Sequence, residues 1–187
     1  MTTAHQMDIK AFLNLCTGNW FSQRTNYNLI EEKTESSKAD LSITMISSED
    51  SQITQLCQQH RIDPKQSLGG LQYSWDNSVD WGKPKQQGSS LMVFIEDGED
   101  TTTGKLLTNA IKAGMKSTGT YILGRDEALT LIIDTEDVRL EERLWFASDN
   151  LRLRTNVIKN STGITHTTFY SEIRKAPPKD KAAETSK

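Results

Sequence analysis

Over most of this chain apolar and polar residues alternate one for one, the period of a strand with a single inward face. LSITMIS (41–47), LQYSW (71–75), SLMVFIE (90–96), TYILG (120–124), ALTLIID (128–134), RLWFA (143–147), LRLRTNVI (151–158) and THTTFYSEI (165–173) are short and rich in β-branched or aromatic residues. The clusters EDGED, GRDE, ASDN and KNSTG punctuate them as turns. Two stretches keep a helical period instead. In MDIKAFLNLCTG, residues 7–18, Ile9, Phe12, Leu13 and Cys16 form one stripe, Asp8 can cap the start and Gly18 can end it. In SEDSQITQLCQQH, Ile53, Leu56 and Cys57 share a face and Pro64 follows. About ten strands at this spacing predict a mainly β fold, a sandwich or a closed antiparallel barrel. The barrel is the better fit, because it leaves no strand edge uncovered and can hold a ligand inside.

Composition sharpens that choice. Only 35% of the 187 residues are hydrophobic, a low share that suits a polar-lined interior. Mean hydropathy is −0.59 and the pI near 5.7, which gives no basic footprint for nucleic acid. No apolar run reaches membrane-span length, and MTTAHQMD has neither a secretory nor a transit pattern. Cys16 and Cys57, the two cysteines, read as buried thiols of a cytosolic protein. His5, His60 and His166 are scattered without ligand spacing, so no metal site is expected. One domain is expected over 1–175, followed by a charged, proline-containing tail over 176–187 expected to be disordered.

The stretch EERLWFASDNLRLRT, 141–155, raises a question of register. A three-residue loop at Ser148–Asn150, with Asn150 left-handed, sets Phe146 opposite Arg152, Leu144 opposite Arg154 and Glu142 opposite Asn156. Glu142 then shares a face with both arginines. A two-residue loop puts Arg152 and Arg154 beside Arg143 and Trp145 instead. Even with the first register two readings stand. The face is a solvated outer wall with cross-strand ion pairs, or it points inward and offers two guanidinium forks to a ligand with two carboxylates.

Three segments resemble one known family: GNWFSQRT at 18–25, the tryptophan of LQYSWD, and EERLWFASDNLRLRT. The family is the S-type phycobiliprotein chromophore lyases, or bilin lyases, and the likeness runs in order from residue 7 to about 175. It implies a lipocalin-like antiparallel barrel with an N-terminal helix. It also implies a cytosolic protein (plastid stroma in an alga) that binds a free linear tetrapyrrole, phycoerythrobilin or phycocyanobilin, as substrate, with no cofactor. That bilin is passed to a cysteine of a phycobiliprotein subunit, phycoerythrin or phycocyanin and by expectation β, as a thioether. A homodimer or a heterodimer with a related lyase is a possible assembly.

On this resemblance Arg152 and Arg154 pair the propionates, and Glu142 faces the pyrrole nitrogens and favours the protonated, more electrophilic bilin. Arg24 is assigned to bilin binding by its motif; from the residues alone it is an exposed strand arginine. Trp20 and Trp75 supply apolar area to the barrel or its mouth, or simply pack the core. Asp134 and Glu172 are the fallback acids. The chain departs from the family at Tyr27 and Asn28, where histidine is common, so no imidazole role carries over there. A non-catalytic bilin chaperone and a general lipocalin-like carrier of an acidic apolar ligand are the competing functions. The paired arginines with Glu142 argue against a fatty-acid carrier.

Overall fold

The computed structural model describes residues 7–98, 100–109 and 117–176; the tail expected over 176–187 lies almost wholly outside them. Ten strands form one closed barrel in which each pairs with its neighbours in sequence, and β1 closes against β10. They are β1 (Gly18–Asn28), β2 (Lys33–Ile46), β3 (Ser67–Asp76), β4 (Gln87–Glu96), β5 (Thr103–Thr108), β6 (Ser117–Leu123), β7 (Leu129–Asp134), β8 (Arg139–Ser148), β9 (Leu151–Asn160) and β10 (Gly163–Arg174). The alternation in sequence named every wall except β1, which was read only as a motif, and β5. TGKLLT is six residues long and lacks the β-branched alternation that marks the others.

Helix α1 (Ile9–Cys16) closes one end of the barrel. Asp8 caps it, accepting from the Ala11 amide at 2.7 Å, as its sequence position predicts. Its stripe Ile9, Phe12, Leu13 and Cys16 is fully buried against Trp20, Leu123, Leu129 and Leu144. Arg174 locks its other terminus by donating to the carbonyls of Leu15 and Thr17 at 2.8 and 2.6 Å and to that of Asp149 at 3.1 Å. Helix α2 (Ser51–Gln59) lies outside, covering the outer faces of β4 and β5 through Ile53, Leu56, Cys57, Val93, Ile95 and Leu107. Both cysteines are free and buried.

An up-and-down barrel puts alternate turns at opposite ends. The turns after β1, β3, β7 and β9 therefore lie at the end away from α1. On β1 the inward positions run from buried Trp20 and Ser22 to exposed Arg24. Among the described residues no helix is long and apolar enough to cross a membrane.

Candidate functional site

The register at 141–155 comes out as predicted, by a different route. Glu142 pairs with Asn156, Leu144 with Arg154 and Phe146 with Arg152, so all three site residues face inward. The loop, however, is a two-residue turn closed by a Ser148–Leu151 pair, and the register then shifts by one at Ala147. That bulge restores the parity that a two-residue turn would have inverted. Asn150 is not left-handed: outside glycine, the described residues with positive φ are Glu32, Arg61 and Glu127. A second shift, between Ile164 and His166, sets β10 so that Glu172 stands opposite Arg152 and Tyr170 opposite Arg154.

The inward charges form two layers. Deeper, Arg152 and Glu172 are both 0% exposed, with Arg152 Nε 2.6 Å from Glu172 Oε2. Glu172 also accepts from the Ser22 hydroxyl at 3.3 Å and meets Arg154 Nη2 at 3.3 Å. Burial opposes ionisation of Glu172, but the attraction of Arg154 and Arg152 outweighs it and holds this carboxyl below the ordinary range. The Arg152 guanidinium lies 5.0 Å from the centre of the Trp20 ring, whose other neighbour is Arg174 at 4.1 Å. The terminal nitrogens of Arg152 have no hydrogen-bond partner among the described residues. Cys16 sits close by; burial pushes its thiol up and Arg152 offsets only part of that, which disfavours the thiolate.

One layer nearer the opening, Arg154 Nη1 reaches both oxygens of Glu142 at 3.4 Å. Charge-assisted pairs are typically about 2.7–2.9 Å, so this contact is loose where Arg152–Glu172 is tight. The guanidinium stacks 3.8 Å from the Tyr170 ring. Tyr73 approaches the same charges; its hydroxyl is pushed well up by burial and keeps its proton. Level with this layer stand Arg24 and Ser37, and beyond it the inward positions are polar on β1, β9 and β10 at Asn26, Asn156 and Thr168 and apolar on β7 and β8 at Ile133 and Leu140. Arg24 is exposed and donates from Nε to the Ser37 hydroxyl at 2.5 Å. It stands opposite Tyr170, so Arg24 and Arg154 flank one tyrosine across two strand spacings, roughly 10 Å.

The structure thus separates the residues that sequence grouped. Arg154, Glu142 and Arg24 share the open cup. Arg152 lies one layer deeper, with its Nε on Glu172 and its terminal nitrogens left over from that pair. Trp20, expected either to supply apolar area to the barrel or to pack the core, is wholly buried in the core and donates to the Cys16 carbonyl at 3.0 Å, anchoring α1. Trp75 faces the mouth, half-exposed, with its ring laid on Gly88, where a Cβ would fall 2.3 Å from it. Glu172, kept only as a fallback acid, is the keystone of the buried layer, and Asp134 lies apart, paired with Arg139 on the surface. Tyr170, Ser22 and Arg174 were missed. For Tyr170 and Arg174 the signal is their two-residue spacing about Glu172 on β10, and for Ser22 its two-residue spacing from Trp20 on β1. A cleft of about 480 Å³ lined by Asp126, Arg143, Trp145 and Thr155 lies on the outer wall, away from these charges.

A family model described as CpeS-like protein matches residues 8–175. The chain belongs to the CpeS-like family. This CpeS-like chain is 43% identical to a chromophore lyase CpcS/CpeS of Thermosynechococcus vestitus, covering 90% of this chain and 93% of that one. It is 32% identical to a phycocyanobilin lyase subunit CpcS of a Picosynechococcus species, covering 89% and 86%. The solved structure of an S-type phycobiliprotein lyase from Guillardia theta superposes with a TM-score of 0.78 at 25% identity, over 92% of this chain and 95% of that one. The lipocalin-like barrel and the family expected from three short strings are both established.

Proposed function

We propose that this CpeS-like chain is a bilin lyase. It binds a free linear tetrapyrrole, phycoerythrobilin or phycocyanobilin, and attaches it by a thioether to a cysteine of a phycobiliprotein subunit in the cytosol. The observation that carries this reading is the loose Arg154–Glu142 pair at the floor of an open polar cup, above a second pair that is sealed and tight. A loose pair can exchange partners; a sealed one cannot without uncovering a charge. Arg154 then takes one propionate and exposed Arg24 the other, which frees Glu142 to face the pyrrole nitrogens. A phycocyanobilin lyase subunit and an S-type phycobiliprotein lyase among its relatives support the bilin and the phycobiliprotein.

The reaction is an addition. The acceptor sulfur bonds to carbon, the thiol proton ends on the tetrapyrrole, and nothing leaves. A carboxylate beside the nitrogens favours the protonated, electron-poor bilin, and its removal is expected to slow the step. Tyr73 and Tyr170 supply flat walls, and Tyr73 a donor. The test is co-expression with a bilin pathway and candidate phycobiliprotein subunits, followed by absorbance and mass of the adduct. A single adduct at one cysteine is expected. An adduct mixture identical with and without this chain rejects the lyase and leaves the chaperone; no bilin binding at all leaves the general carrier.

A further inference from the structure

The open end of the barrel is ringed by exposed apolar side chains. The β1–β2 turn presents Ile30, 68% exposed; the β3–β4 loop presents Trp81, 93% exposed; and the β9–β10 turn presents Ile164, 48% exposed. Val138 adds a fourth from the β7–β8 turn. The described turns at the α1 end show no such residue; theirs are Asp97, Asp100, Asp126, Glu127 and Asp149. Scattered apolar residues are ordinary on a surface, but one on every described turn of a single end is a patch with a direction.

The loop that carries Trp81 is built. The Asn77 side chain spans it, accepting from the Gln86 amide at 2.6 Å and donating to the Pro84 carbonyl at 2.9 Å. Asp80 ties it to β2 by accepting from the Lys38 amide at 3.1 Å. Leu29 in turn donates its amide to the Thr165 carbonyl at 2.9 Å, joining the first turn to β10 beside Ile164. Trp81 is therefore held out in water by an ordered scaffold, the arrangement of an interface anchor.

We infer that this rim, with Trp81 as its anchor and Ile30 and Ile164 beside it, is the docking surface for the acceptor protein whose cysteine receives the bilin. The inference rests on the lyase reading. A thiol must reach a ligand seated at Arg154, α1 and Trp20 fill the other end, and so the thiol-bearing partner has to cross this rim. A second copy of this chain seated there would shut the cup against it. A lipid surface is disfavoured by the acids Glu31, Glu32, Asp80, Glu136 and Asp137 on these turns, set beside Lys33 on the first and Lys83 and Lys85 on the second. Apolar anchors set among mixed charges are the anatomy of a protein interface.

The test uses the full chain and the apo-phycobiliprotein subunit that the wild type modifies. Three chains are compared: Trp81→Ser, Ile30→Ser combined with Ile164→Ser, and a control, Ile122→Ser, on the outer wall. All four side chains are exposed, so the fold should hold. Transfer is measured against acceptor concentration, and bilin affinity by absorbance titration. Trp81→Ser should raise the acceptor KM at least tenfold with bilin affinity and kcat unchanged; the double variant should raise it several-fold and the control not at all. Sedimentation of bilin-free chain with apo-subunit should show the same ranking. An unchanged acceptor KM and association in the rim variants overturns the inference while the lyase stands. A drop in bilin affinity makes the rim part of the ligand seat and equally overturns it. Failure of the wild type to modify any subunit overturns the lyase reading itself, and failure to associate with one overturns the docking surface.

Discussion

Glu172→Gln is the substitution that weighs most on the division between a sealed layer and an open one. Among the described residues Arg152 has one ion-pair partner, at 2.6 Å, and two terminal nitrogens with none, all at zero exposure. Neutralising Glu172 leaves a buried guanidinium uncompensated, a change that typically costs about 3–5 kcal/mol. Arg154 suffers less, because Glu142 remains beside it. Domains of this kind are stable by only about 5–15 kcal/mol, so the loss is a large share. At about 2–4 °C per kcal/mol for this chain length, Tm should fall by roughly 6–20 °C. Urea and thermal unfolding followed by circular dichroism measure it.

The pH dependence carries its own sign. Glu172 is held below its ordinary value of 4.5, so its stabilisation is complete above that value and is lost as pH falls through the depressed one. The wild type should therefore lose stability in acid more steeply than Glu172→Gln, whose profile should be flatter. Replacing the pair together, Arg152→Met with Glu172→Leu, should restore most of the stability, since no charge is left stranded. A Glu172→Gln chain within about 1 kcal/mol of wild type, well under the cost of a broken buried pair, would refute the structural assignment and return Arg152 to the ligand.

Arg154→Ala should weaken bilin binding by about 10- to 150-fold, the worth of one charge-assisted pair of ~1.5–3 kcal/mol, in absorbance titrations, with some loss of Tm because Glu142 and Glu172 each lose a partner. Glu142→Gln should keep bilin bound and slow transfer by about 10²–10⁴-fold in single-turnover assays; loss of binding instead would make Glu142 a positioning residue. Arg174→Ala removes three donors to the carbonyls around the end of α1, and faster amide exchange confined to α1 and its junction is the expected signature.

Much of the barrel was legible because its period is written in most of its walls. Ile43, Leu71, Tyr121, Leu131 and Leu144 sit inward where alternation puts them, and the α1 stripe is buried residue for residue. The strand that escaped, β5, is short and carries Leu106 and Leu107 in succession, one for the barrel core and one for α2. A strand buried on both faces has no alternation to read.

The site was harder to read, because it depends on two irregularities that no local pattern announces. The turns at both ends of β9 are two residues long, and each alone would seat Arg152 and Arg154 against the wrong faces: Ala147 and Trp145 on one side, Ser171 and Phe169 on the other. One extra residue in each neighbour, Ala147 in β8 and Thr165 in β10, reverses both errors. Only with both shifts do Glu142 and Glu172 converge on the same two arginines. The hydrophobic pattern of β9 does not demand this outcome, since it turns Leu151 and Leu153 outward and the arginines inward; the buried acids that meet those arginines do. Without the bulges, inward-facing Leu151 and Leu153 would drive charge onto the outer wall and leave Glu172 buried without a partner, at a cost no turn preference offsets. The choice between Arg152 and Arg154 has the same origin. They are equivalent in sequence, but α1 and Trp20 stop one layer below Arg154, so water reaches one guanidinium and not the other.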